Sequence, residues 1–401
     1  MFNSDSGHQP ARYALPAGAP PATPAAVPRT LALQFTGSGS EYFRIWIVNL
    51  LLTLVTLTLY APFAKVRRLR WQYANTLVDG QPMGFHANPW SMLRGHLLIL
   101  VFGGLYAVAG RFSVAAGTLA SVALVALWPA LWQASLRFRL ANSSWRGVRL
   151  QFTGSLGQAY AALAPMLLPA AMTLVLLVYP QERGEPPPPW FLGLAPLLAV
   201  CMWPWISFRM KRYQHDHYHW AGQTTRLHAG AWAFYKVNIR AGLAAALPVL
   251  VVGLLAALAM GALAAGGLPG PGLEGKPVVY GLVLGSLALA YMMAAMVGQG
   301  ALMVRLQNLV WGSTRSAALR FGSDLMLRPV LLQLLKNLLL SVLTLGLYWP
   351  FGWVRLTALR LAAVHIEADE DPANWLAGTA QGAGSAAGDA AGDLLDIDVG
   401  L

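Results

Sequence analysis

Acidic residues are scarce in this 401-residue chain, 16 against 28 lysines and arginines, and none lies inside any of its long apolar runs. Proton-coupled carriers commonly use buried carboxylates as relays, so this absence weighs against that class. Cysteine occurs once, as Cys201 within an apolar run, which excludes an intramolecular disulfide framework and a Cys-ligated metal site. Charged residues make up 11% of the chain against 56% hydrophobic, too little polar surface to cover a soluble globule. The ten-residue alternating strands of a membrane barrel are missing. So is the basic start followed by an apolar core that marks a secretory signal. Gly37-Ser-Gly-Ser40 lacks the Lys-Ser/Thr of a phosphate loop, and no His-Glu-x-x-His or serine-nucleophile motif occurs. The sequence therefore supports neither a catalytic residue nor a cofactor, and the chain reads as a non-enzyme.

What remains is apolar. About eight segments approach the ~20 residues that cross a bilayer: 45–64, 95–110, 113–136, 159–179, 190–208, 241–266, 278–303 and 330–354. The expected fold is all-α, a polytopic membrane helix bundle with short cytoplasmic amphipathic or hairpin stretches between segments. Residues 1–34, rich in Pro and Ala, read as a disordered tail, and 35–365 as the membrane domain. Residues 366–401, acidic and rich in Ala and Gly, read as a second tail.

The chain repeats itself. Phe35-Thr-Gly-Ser returns as Phe152-Thr-Gly-Ser and, shortened, as Phe321-Gly-Ser. A basic and aromatic stretch ending in a turn recurs as Arg70 to Gly80 and Arg212 to Gly222. Shorter forms run from Arg139 to Gly147 and from Arg305 to Gly312. Of the 28 lysines and arginines, 19 lie in or beside these stretches, between Lys65 and Arg94, Arg137 and Arg149, Arg209 and Arg240, and Arg305 and Arg328, and the positive-inside rule places them in the cytoplasm. The net charge of +12 then expresses orientation and attraction to anionic headgroups. Nucleic acid is excluded as a partner, because the basic residues flank apolar segments and form no separate module. A homo-oligomer or an envelope protein stays open as a partner.

Topology presents a conflict. Eight full crossings place both termini outside, whereas the repeat places Phe35 on the inside with its counterparts. Re-entrant first and last segments, turning back at Pro62 and Pro350, would remove the conflict; length favours full spans.

Those two segments also hold the candidate site. Asn49, Thr53, Thr56 and Tyr60 share a helical stripe with the spacing of Asn337, Ser341, Thr344 and Tyr348. Intramembrane polar residues are functional candidates, and they equally serve helix packing through interhelical hydrogen bonds. Lys336 is a candidate anion contact or a side chain snorkelling to the interface. His215, His217 and His219 alternate, so an extended segment would aim all three to one side as weak metal candidates. The competing reading is a hydrogen-bonded surface stretch.

Phe35-Thr-Gly, Tyr42-Phe43, Asn49 to Leu54, Thr56 to Tyr60, Pro62 to Arg67 and Asn75-Thr76 resemble the YjgN-like family of bacterial inner-membrane proteins, of unknown function. The resemblance covers most of 35–360 in layout and implies inner-membrane location and architecture, with no catalytic residue. Where the family pattern places Gly before the Tyr, this chain has Thr58 in the first copy and Gly346 in the second. The expected role is a transporter, channel or permease for a small molecule or lipid; the alternative is an envelope scaffold or interaction protein.

Overall fold

The computed structural model describes residues 29–265 and 276–369. Residues 1–28 and 370–401, which hold most of the two expected tails, lie outside the described residues. Strand β1 (Arg29–Phe35) takes up the end of the first tail, and β12 (Val364–Ala368) the start of the second.

Between them the chain runs through five units, each a strand, a helix, a helix and a strand. The first is β1, α1 (Gly39–Val55), α2 (Ala61–Ala74) and β2 (Thr76–Val78). The second is β3 (Gln81–Phe85), α3 (Pro89–Phe112), α4 (Val114–Ala141) and β4 (Ser143–Trp145). In the third, β5 (Val148–Arg149) and β6 (Gln151–Phe152) precede α5 (Leu156–Leu163), a 3-10 turn at Ala164–Met166 and α6 (Leu167–Arg183). Helix α7 (Pro189–His215) and β7 (Tyr218–Trp220) complete that unit. The fourth has β8 (Gln223–Thr224), β9 (Arg226–Leu227), α8 (Ala231–Ala265), α9 (Lys276–Gly312) and β10 (Thr314–Arg315). The last is β11 (Leu319–Ser323), α10 (Leu327–Leu343), α11 (Trp349–Ala362) and β12.

The chain is mainly helical, but all-α needs correction. The basic stretches between helices are β-hairpins, and they pair with one another. Nine strands follow the order β5-β4-β3-β2-β1-β12-β11-β10-β9, and three follow β6-β7-β8. Only Leu150 separates β5 from β6, and only Thr225 separates β8 from β9. Each of these bent strands pairs with one neighbour through its first half and the other through its second. Pairing thus passes around a full antiparallel ring in which every strand lies beside its neighbours in sequence and β12 closes on β1. The termini join because Leu31 pairs with Ile366 and Arg29 with Ala368.

Turn chemistry explains the tight hairpins. Asp79-Gly80, Arg146-Gly147 and Ala221-Gly222 all have positive φ at both residues, the two-residue loop whose twist matches flanking strands. The fourth hairpin departs from the expected repeat: Gly312 ends a helix, and the turn lies at 316–318. The ring interior is filled. Leu31, Val78, Trp145, Leu319 and Ala368 form a buried cluster, with Leu33, Met83, Trp220, Phe321 and Ile366 against it, following the period of two that strands impose.

Five small cores join successive units. In every unit the fourth residue of the first helix is almost wholly buried: Tyr42, Met92, Ala159, Phe234 and Val330. Four residues ahead of each helix stand Phe35, Phe85, Phe152, Leu227 and Ser323. Phe85-His-Ala-Asn and Leu227-His-Ala-Gly therefore fill the slot of Phe-Thr-Gly-Ser, two copies that sequence reading missed. Glycine is needed at Gly37 because a Cβ there would lie 2.7 Å from the Trp71 ring.

Six helices, Pro89–Phe112, Val114–Ala141, Leu156–Pro180, Pro189–His215, Ala231–Ala262 and Gly281–Gly312, are long and apolar enough to cross a membrane. The expected count of about eight fails at 45–64 and 330–354, which break at 56–60 and 344–348 and return to the ring. The breaks are the same structure twice. Leu57 and Thr58 have φ of 47° and 73°, Leu345 and Gly346 of 50° and 89°. A β-branched residue in that region costs roughly 1–2 kcal/mol. Thr58→Gly should therefore raise the thermal midpoint in detergent, by about 1 kcal/mol of stability, and Gly346→Thr should lower it by a similar amount.

Candidate functional site

Thr56 and Thr344 hold the two tips. Each hydroxyl donates to the carbonyl four residues back, Leu52 at 2.7 Å and Leu340 at 2.6 Å. Each also accepts from the backbone N–H of Tyr60 or Tyr348, at 3.0 and 2.9 Å. Tyr60 stacks on Phe63 and Tyr348 on Phe351, so half of the polar stripe shapes the turns themselves. Thr53 donates to the Asn49 carbonyl at 2.6 Å. Asn49 faces the returning arm, its Nδ2 donating to the Ala64 carbonyl at 3.4 Å. Asn337 occupies the matching place beside Gly352, where a Cβ would come within 2.6 Å of its amide. Its Oδ1 accepts from Gln333 at 2.6 Å. Ser341 is half-buried on the same helix face, and Lys336 is exposed on α10.

Hairpins α1–α2 and α10–α11 stand side by side because β1 and β12 pair. Tyr42 packs between Trp71 and Trp353, at 4.9 and 4.8 Å between ring centres, and Phe43 stacks on Phe351 at 5.4 Å. Between α1, α2 and the start of α11 lies a cleft of about 300 Å³. Asn49, Thr53, Lys65, Arg68, Trp46 and Trp349 line it. Asn49 brings a buried Oδ1 and Arg68 a buried Nε that have no hydrogen-bond partner among the described residues. Burial, then the neighbouring Arg139 and Arg68, hold the Lys65 ammonium below its ordinary pKa. A second groove of about 280 Å³ runs between α9 and α10, apolar except for Tyr291 and Gln299. Both cavities border the two short hairpins.

The histidines separate because the helix persists to His215, so the run is not extended. Buried His215 uses Nδ1 toward the Thr314 hydroxyl at 3.0 Å. His217 Nδ1 donates to the Tyr213 carbonyl at 2.8 Å, and His219 Nδ1 meets the Thr224 hydroxyl at 3.0 Å. Among the described residues no three His, Cys, Asp or Glu side chains gather to hold a metal.

Among the described residues, six helices long and apolar enough to cross a membrane stand on a paired-strand base and define a multi-pass membrane protein, and its relatives place it in the bacterial inner membrane. A family described as bacterial protein of unknown function, DUF898, matches residues 30–394, and this chain belongs to it. It is 27% identical over 357 residues to the inner membrane protein YjgN of Salmonella typhimurium, covering 84% of this chain and 89% of the relative. It is 28% identical over 149 residues to YjgN of Escherichia coli O157:H7, 36% of this chain and 37% of that one. With YjgN of Escherichia coli K12 it shares 30% over 125 residues, 30% of this chain and 31% of the relative. No solved structure matches.

Proposed function

We propose that this protein is a non-enzymatic permease or carrier that takes a lipid or other membrane-soluble molecule sideways from the bilayer. The observation that carries the reading is the pair of short hairpins standing together in an otherwise span-length wall. Each helix packs mainly against its neighbours in sequence, and α11 packs against α1. No more than 22% of the most apolar stretch of any span-length helix is buried, as suits a single-layered wall. Helix α1 has 17 residues, and its apolar part, from Ile45 to Val55, is roughly 16 Å long at 1.5 Å per residue. That is about half of the ~30 Å hydrocarbon core. The tips are apolar and open, Leu57 84% and Leu345 94% exposed, so they suit lipid at mid-depth. Above them the wall has a gap facing the bilayer, and the cleft at Asn49 lies beside it. The filled ring interior argues against a pore along the axis.

A scaffold remains the second reading, favoured by Thr56, Tyr60, Thr344 and Tyr348, whose bonds and stacking stay within their own hairpins. Depth and access separate the two. In a Cys201→Ala background reconstituted into vesicles, a bimane on Leu57→Cys or Leu345→Cys should be quenched most by lipids nitroxide-labelled at mid-chain. A photoreactive side chain at Thr53 should cross-link lipid. Quenching greatest at headgroup depth, with no lipid captured at Thr53, would leave the scaffold.

A further inference from the structure

Where the helices enter the ring, cations gather without acids. Lys65 of α2 is within electrostatic range of Arg68 and of Arg139 on α4, and Arg139 within range of Tyr218. The Tyr218 ring lies 5.1 Å from His215, which senses Lys211 of α7, and Lys211 in turn senses Arg360 of α11. These cations, on α2, α4, α7 and α11, make a loose basic band, and Lys65 and Arg68 of it line the cleft beside Asn49.

The side-chain hydrogen bonds of these cations go to neutral groups. Lys211 Nζ donates to Gln214 Oε1 at 3.0 Å, and Arg360 Nε donates to Gln307 Oε1 at 2.8 Å. The ion pairs join Arg29 and Arg146 to Asp79, Arg212 to Asp216 and Arg320 to Asp369. None of the five basic groups in the band has a carboxylate partner among the described residues. Arg139 and Arg360 are exposed, whereas Lys65 and Arg68 are half-buried, and charges partly withdrawn from water without counter-ions are costly unless something anionic compensates them. The unpartnered Arg68 Nε of the cleft is a donor held for such a group, and the unpartnered Asn49 Oδ1 beside it an acceptor for a headgroup hydroxyl. Trp46, Trp349 and Leu50 of the same cleft supply the apolar side.

We infer that Lys65 and Arg68, with Asn49 beside them, form a binding site for a phosphate-bearing headgroup, whose acyl chains leave through the gap above the short hairpins. The site deepens the lateral-access reading and rests on it for the chains, while the phosphate contact stands on the cleft alone. Two sources share this chemistry, an anionic phospholipid and a free phosphate compound.

The test uses the full chain in nanodiscs with diazirine-bearing phosphatidylglycerol or phosphatidylcholine, with inorganic phosphate as competitor. The wild type should capture phosphatidylglycerol over phosphatidylcholine by about tenfold or more, given how basic groups attract anionic lipid. Lys65→Gln/Arg68→Gln should lose most of that preference, with millimolar phosphate displacing little, while Lys211→Gln/Arg360→Gln, outside the cleft, should keep it. Elution volume and melting establish that the variants fold; if the Lys65/Arg68 double variant does not, Lys65→Gln alone, against charge-conserving Arg68→Lys, takes its place. Equal capture of both lipids by folded wild type would overturn the headgroup site while lateral access stands. Stabilisation by phosphate with no lipid captured would keep the anion site and remove lateral access. Capture of neither lipid, with no response to phosphate, would overturn both.

Discussion

Replacing Trp145 by Ala should cost this protein about 3–5 kcal/mol, the usual loss when a large buried aromatic is truncated without repacking. Trp145 is 7% exposed in the ring interior, with its ring 4.8 Å from that of Trp220. Its Nε1–H donates to the Val78 carbonyl at 3.2 Å, so the truncation also strips a buried acceptor of its partner. The loss should spread beyond one hairpin. Trp145 bonds Val78 of the first unit and packs on Trp220 of the third, and in a closed ring every hairpin is held by both neighbours. The measurement is the thermal midpoint and limited proteolysis in mild detergent, set against Trp90→Ala, whose side chain is 63% exposed. A Trp145 variant melting within 1–2 °C of the control would mean that the ring interior contributes little to holding the units together.

Much of this architecture was legible because it repeats. Phe35-Thr-Gly-Ser and Phe152-Thr-Gly-Ser mark strand ends running into helix starts, where Ser38 and Ser155 accept from the backbone N–H three residues on. The Gly80, Gly147 and Gly222 turns were found with their flanking aromatics. Their strand character was not, because two- or three-residue strands between long helices give no period-two signal of useful length. They are strands only because partners from other units complete them. His215 to His219 shows the same limit: the alternation read as extended, while the helix continues to His215 and takes that ring into a buried contact with Thr314. Hydropathy could not tell a half-depth hairpin from a span, since 45–64 and 330–354 have the length and composition of either. The signal lay in the repeat, which put Phe35 on the same side as Phe152. At the candidate site, Asn49 and Thr53 were visible as a stripe. Lys65 and Arg68 were taken as markers of orientation, because their place beside Asn49 depends on the hairpin folding back.

The central claim is that the first and last hairpins enter and leave the membrane on one side. It has an all-or-none consequence, because a charged connection does not cross the hydrocarbon core readily. Single cysteines at Thr30 and Glu367, on the paired terminal strands, should behave like cysteines at Arg146, Arg226 and Arg315 in the ring hairpins. All are made in a Cys201→Ala background and offered an impermeant thiol reagent in intact cells. The account predicts protection at all five and labelling at Gly184, between α6 and α7 at the opposite end of the wall. Labelling at 30 and 367 with protection at 146, 226 and 315 would contradict it, since the first and last segments would then span the membrane and no ring could close.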